Sequence, residues 1–129
     1  MTPAPERSLT FTGRIRSIGY ALRGLADMVR TQRNAWIHAA ATLLVLALGF
    51  ALGLSRLEWS VITLAIVAVW AAEALNTALE LLTDIAAPSF HPLAARAKDV
   101  AAGGVLMASI GAAVVGLLVL GPRLLAVFR

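Results

Sequence analysis

Apolar residues in the first part of the chain recur at alternating spacings of four and three: Phe11, Ile15, Ile18, Leu22, Leu25 and Val29. At ~100° per residue these positions share one face of an α-helix. Arg14, Arg16, Arg23 and Arg30 occupy its other faces. Residues 9–32 therefore predict an amphipathic helix lying in a membrane interface, with its apolar face buried and its arginines among lipid phosphates. The polar side then disappears. Residues 35–54 have His38 as their only ionisable group, and about 20 such residues can span ~30 Å of hydrocarbon. Residues 55–58 predict a tight turn, and residues 57–82 a second span with Trp59 and Trp70 as interface or packing aromatics. Residues 84–99 are polar and punctuated by Pro88 and Pro92, which predicts a connection. Residues 100–120 predict a third span, and Gly121-Pro122 a break or kink before a short end. Small residues four apart (Gly49 and Gly53; Gly104, Ala108, Ala112 and Gly116) predict faces for close helix contact.

The second span carries the feature that needs explaining. From Leu57 it has only Glu58, near its start, before the stretch Glu73-Ala-Leu-Asn76-Thr77-Ala-Leu-Glu80-Leu-Leu-Thr83-Asp84. On a helix, Glu73, Glu80 and Asp84 fall within roughly 20° of one line, with Asn76 roughly 60° to one side. Even on the most lenient scale a charge in lipid costs at least ~2.5 kcal/mol. The stripe must therefore face protein, water, metal or substrate, either as a polar seam between helices or as a functional site.

Composition narrows the class. Of 129 residues 60% are hydrophobic and 14% charged, well below the ~25% charged of soluble domains. The expected architecture is an all-α membrane protein of one domain, 1–129. Residues 1–8 hold two prolines and mixed charge, and predict a frayed end without the apolar core of a signal peptide. The absence of cysteine excludes disulfides, thiolate metal sites and cysteine nucleophiles. A net charge of +4 raises the question of nucleic acid, but the arginines flank apolar spans, so anionic headgroups are the expected partner. With three spans, eight of the eleven basic residues fall on the side of the N-terminus and the 84–99 connection. The positive-inside rule puts that side, and the carboxylate stripe with it, in the cytoplasm.

Carboxylates at a cytoplasmic boundary, with Lys98-Asp99 opening the next helix, suit phosphate and Mg²⁺. That ion is held by one or two carboxylates plus substrate phosphates and water, and a lysine supplies charge for phosphate oxygens. Phosphoryl transfer also needs a carboxylate to orient or deprotonate the attacking hydroxyl. Glu73, the deepest of the three, is placed for that base role. The chain has neither a GxxxxGK[ST] loop nor a kinase-type glycine loop.

Two motifs carry a resemblance. Glu73-Ala-Leu-Asn76-Thr77-Ala78-Leu-Glu80-(x)3-Asp84, followed by Ala97-Lys98-Asp99-(x)-Ala101-Ala102, resembles the signature of the small bacterial membrane lipid kinases, the prokaryotic diacylglycerol and undecaprenol kinases. The resemblance extends over nearly the whole chain. It implies a homotrimer in the bacterial inner membrane with sites shared between subunits, ATP and Mg²⁺ as cofactors, and a lipid alcohol as acceptor. By that resemblance Glu73 is the general base beside the lipid headgroup and Asn76 its polar neighbour, with Glu80 a metal ligand. Lys98, Asp99 and His91 contact the nucleotide, and Asp84 supports that site. Tyr20 and Arg23 lie on the segment beside nucleotide and substrate. Arg33-Asn34-(x)2-Ile37-His38 and His91-Pro92-Leu93-Ala94 resemble motifs of the undecaprenol kinase branch.

One departure concerns the metal. Gln32 stands where the family usually has a glutamate sharing the metal site with Glu80; an amide oxygen can ligate Mg²⁺ but brings no charge. Gly13 also replaces a basic residue of some members, and Arg14 or Arg16 can reach the same phosphate. Without the resemblance His91 reads as a turn residue, Lys98 as a snorkelling charge and Tyr20 as an interfacial anchor. His38 reads as a helix-contact or interface residue. The competing function class is a small oligomeric transporter or channel with Glu73 and Glu80 as a cation or proton relay. A non-catalytic scaffold accounts for the small-residue faces but not for the buried carboxylates.

Overall fold

The computed structural model describes residues 11–127, and the expectations for residues 1–8 and for a helix start at Leu9 lie outside them. Four helices follow in order: α1 (Phe11–Thr31), α2 (Arg33–Ala51), α3 (Arg56–Ala86) and α4 (Pro92–Val127). The last three are each long and apolar enough to cross a membrane. A single residue separates α1 from α2. Gln32 is extended there (φ −96°, ψ 119°), and a residue in that conformation ends one helix and starts the next. Met28, one turn earlier, is buried, whereas Ile15, Ile18, Leu22 and Leu25 on α1 are exposed.

The turn between α2 and α3 is built by local chemistry. Gly53 adopts φ +62°, a left-handed conformation that costs glycine nothing. Ser55 then caps α3: its hydroxyl accepts from the Glu58 backbone N–H at 3.3 Å, and Glu58 Oε2 accepts from the Ser55 backbone N–H at 2.7 Å. This capping box satisfies two donors that every helix start leaves open. Residues 55–58 are thus the cap and first turn of α3 rather than a turn between helices. Arg123 of α4 reaches the same place. It donates to both Glu58 oxygens, at 3.1 and 2.6 Å, and to the carbonyls of Leu52 and Gly53 at 3.3 and 3.0 Å.

Two expectations are corrected here. The polar connection at 84–99 is mostly helix, because α3 runs on to Ala86 and α4 starts at Pro92, leaving only residues 87–91 between them. Pro92 occupies the first helical position, where the missing N–H would have had no partner in any case. Nor does Gly121-Pro122 end α4, which continues to Val127 with Pro122 inside it. The proline forfeits one backbone hydrogen bond, and the four bonds from Arg123 hold the final turns against the α2–α3 turn.

α3 packs chiefly along α4. The apolar core sits at the α2–α3 turn end, where Leu54, Ile62 and Leu120 are buried beneath Leu48, Trp59, Val119 and Leu124. Gly49 permits this closure: a Cβ there would lie 2.7 Å from Trp59 Cη2 and 3.1 Å from Leu54 Cδ1. The α4 small-residue face does no such work within one chain, since a Cβ at Gly104 or Gly116 would meet nothing within 4 Å. We expect Gly49→Val to cost about 1–3 kcal/mol, as overpacked cores do, read as a lower thermal midpoint in detergent micelles. Gly49→Val with Trp59→Ala should recover part of the loss; an unchanged midpoint in the single variant would contradict this packing.

Candidate active site

The inward face of α3 changes character along its length. Ile62 and Val69 belong to its apolar part, and one turn later Glu73, Asn76 and Thr77 are buried in the same direction. Glu80 is half-buried and Asp84 exposed, so the carboxylate stripe runs from the interior to the surface as α3 approaches its C-terminal end. The helical period placed these groups on one line, and the fold turned that line inward.

Glu73 is fully buried at 0% exposure. Neither carboxylate oxygen has a hydrogen-bond partner among the described residues. Thr77 donates to the Glu73 backbone carbonyl at 2.9 Å, so it satisfies itself on the helix and leaves the carboxylate alone. His38 of α2 approaches it: Nε2 is 3.7 Å from Glu73 Oε2 and is itself buried without a hydrogen bond among the described residues. Burying a carboxylate without a hydrogen bond is costly, and a carboxylate within reach of a hydroxyl can accept its proton.

One to two turns further on, three polar side chains meet. Glu80 Oε1 accepts from Asn76 Nδ2 at 3.1 Å, and Oε2 accepts from Gln32 Nε2 at 3.4 Å. Gln32 is therefore brought to Glu80 by the break between α1 and α2. Asn76 Oδ1 is buried and unpartnered. Asn34, His38, Asn76, Glu80 and Ser109 line a cleft of about 270 Å³ beside this group.

The remaining site candidates divide. Asp84 and Lys98 form an ion pair across the α3–α4 connection. Tyr20 and Arg23 are exposed on α1, with the guanidinium 5.0 Å from the ring centroid. His91 Nδ1 accepts from the Leu93 backbone N–H at 3.2 Å and so caps α4, while Asp99 is exposed. Within one chain, then, Glu73 meets His38, Asn76 and Gln32 meet Glu80, and Asp84 meets Lys98. Tyr20, Arg23 and His91 make their contacts locally. The proximity of His38 to Glu73 was missed, although a lone ionisable group in an apolar span asks for a partner. Asn34, also in the cleft, entered only through the motif it shares with His38, and Ser109 had no signal of its own.

No group of three or more His, Asp or Glu side chains among the described residues stands together as a metal site. Glu80 flanked by two amides nevertheless offers hard oxygens, because turning either amide exchanges its nitrogen for its oxygen. Such a set fits a small hard cation that takes its other ligands from phosphates and water.

Comparison with known proteins identifies the family. The profile of the family described as prokaryotic diacylglycerol kinase matches residues 19–120. An undecaprenol kinase of Bacillus subtilis is 42% identical over 109 residues, covering 84% of this chain and 89% of the relative. A diacylglycerol kinase of Synechocystis is 41% identical over 84% of this chain and 63% of the relative. A diacylglycerol kinase of Escherichia coli is 31% identical over 81% of this chain and 85% of the relative. None of these names favours a transporter or channel. With its family matched over most of its length and three apolar helices able to cross a bilayer, the chain belongs to the prokaryotic diacylglycerol kinase family and is a membrane lipid kinase.

Proposed function

We propose that the chain moves the γ-phosphate of ATP to the hydroxyl of a lipid alcohol, diacylglycerol or undecaprenol, at the cytoplasmic end of its spans. The reaction class comes from the family. The role of Glu73 is carried by one observation: a fully buried carboxylate with no hydrogen-bond partner among the described residues, 3.7 Å from His38, which lines the cleft that holds Asn76 and Glu80. Glu73 takes the proton of the lipid hydroxyl as its oxygen bonds to the γ-phosphorus. The bond from that phosphorus to the β–γ bridging oxygen breaks, ADP leaves, and the proton remains on Glu73 until it passes to solvent. Asn76, whose Oδ1 is free while its amide nitrogen is bonded to Glu80, orients the hydroxyl or Glu73. Arg23 and Glu73 meet the lipid headgroup.

Glu80, with an amide oxygen from Gln32, is the protein's share of a Mg²⁺ site. That ion, when bound, neutralises charge on the ATP phosphates. Lys98 stabilises the transferring phosphoryl group, and Asp84 holds Lys98 in place through their ion pair. Asp99, His91 and Tyr20 complete the nucleotide site. The whole of 1–129 is one domain in the bacterial inner membrane, with its N-terminus and site cytoplasmic and α1 in the interface. The exposed Ile15, Ile18, Leu22 and Leu25 support that position for α1. Three copies assemble with shared sites. The open face of α4 at Gly104 and Gly116, and the exposed local contacts of Tyr20, Arg23 and His91, are what a neighbouring copy would complete. Membrane lipids are the other partners, and nucleic acid is not one.

The test is transfer of labelled γ-phosphate from Mg-ATP to diacylglycerol and to undecaprenol, side by side in mixed micelles. Wild type should label one lipid, and Glu73→Gln should lose at least about 100-fold of turnover, the range of general base catalysis. Near-wild-type turnover in Glu73→Gln would remove the base role. Gln32→Glu adds a negative charge beside Glu80, worth ~1 kcal/mol at about 4 Å even in water-like surroundings. The Mg²⁺ concentration for half-maximal turnover should then fall at least about 5-fold; an unchanged requirement would show that this pair does not hold the metal. Stability should move the other way from function. Glu73→Leu removes the burial of an unpartnered carboxylate, so its thermal midpoint should exceed that of wild type, and a lower one would mean the carboxylate is satisfied in the resting protein.

A further inference from the structure

His38, like Glu73 and Asn76, has a buried polar atom without a hydrogen bond among the described residues. Its side chain is 14% exposed, and its Nε2 makes no hydrogen bond among the described residues. A histidine placed only to pack would have both ring nitrogens satisfied or wet. Here the unpartnered nitrogen is 3.7 Å from the unpartnered Oε2 of Glu73. That separation is longer than the about 2.7–3.2 Å usual for an N–H···O bond, and catalytic hydrogen bonds are often long at rest and close only around substrate.

The ring is held for this approach. Its edge meets Trp70 of α3 at 6.4 Å between centroids, with planes 66° apart. Trp70 is fixed in turn by its Nε1, which donates to Thr42 Oγ1 at 3.1 Å. His38 and Thr42 are four apart on α2, so one face of α2 grips the indole at two points. His38 also stands at a boundary. It lines both the cleft that contains Asn76 and Glu80 and an apolar groove of about 610 Å³ between α2, α3 and α4. A lipid alcohol whose chain lay in that groove would carry its hydroxyl past His38 to Glu73.

We propose that His38 is the positioning residue for Glu73. Its Nε2–H donates to Glu73 Oε2, which fixes the carboxylate plane and turns Oε1 toward the acceptor hydroxyl. The assignment rests on Glu73 being the general base.

The experiment measures kcat and the KM for ATP of the full chain in mixed micelles, with whichever of diacylglycerol and undecaprenol the wild type phosphorylates faster. Glu73→Gln is the blank. In His38→Leu, kcat should fall about 10- to 100-fold, the worth of a hydrogen bond to a charged group, while the KM for ATP stays within about 2-fold because the nucleotide contacts are untouched. His38→Gln carries an amide nitrogen at the reach of Nε2 and should keep most of the wild-type kcat. His38→Asn, equally polar but too short, should behave like His38→Leu and replaces it if the leucine variant fails to fold. Full turnover in His38→Leu or His38→Asn beside a dead Glu73→Gln overturns this inference alone. His38→Gln as impaired as His38→Asn, in a protein with the wild-type thermal midpoint, also overturns it, since the ring would then be carrying a proton rather than donating a fixed hydrogen bond. Turnover that survives in Glu73→Gln overturns the base role first and this assignment with it.

Discussion

The structure depends on hiding a carboxylate in a helix that is otherwise fit for lipid. A charged Glu73 facing hydrocarbon would cost more than most single interactions in the protein return, so α3 can have only one rotational setting about its axis. Its Glu73–Asn76–Thr77 face turns inward, toward the side on which His38 of α2 stands. That setting decides the rest of the polar end. It brings Glu80 under the extended residue Gln32 at the α1–α2 break, and it sends Asp84 out to the surface, where Lys98 of α4 meets it.

The two ends of the bundle answer opposite requirements. At the α2–α3 turn a capping box, a left-handed glycine and Arg123 with four hydrogen bonds tie three helices together over the apolar core. At the other end, buried polar atoms of His38, Glu73 and Asn76 have no hydrogen bond among the described residues. Unpaired groups of this kind are costly in a low-dielectric interior, and proteins keep such strain where a ligand or reaction uses it. Closure at one end thus supports a site that is poorly satisfied at the other, and the long α3–α4 contact joins the two.

Much of this was legible in order and spacing. The four-and-three stripe of α1, the apolar runs of α2 to α4 and the carboxylate line of α3 all appear as helical periods, because a helix converts separation in sequence directly into angle. The motif pair around Glu73 and Lys98 also led to the family that the comparisons support. Boundaries were less legible. Pro92 read as part of a connection and Pro122 as a break or kink, yet one is a tolerated first residue and the other lies inside α4, beside the hydrogen bonds of Arg123. A proline's local cost is visible in sequence, whereas the distant contacts that outweigh it are not.

The site divides along the same line. The sequence alone determined that Glu73, Glu80 and Asp84 share a face, that the face cannot lie in lipid, and that Lys98 follows at a fixed remove; all are properties of one helix and its solvent. Only the tertiary structure decided that Gln32 touches Glu80, that His38 comes to within 3.7 Å of Glu73, and that Tyr20, Arg23 and His91 make their contacts elsewhere. Those distances depend on how neighbouring helices rotate and slide against one another. That geometry comes from packing between faces, and no spacing along a single helix encodes it.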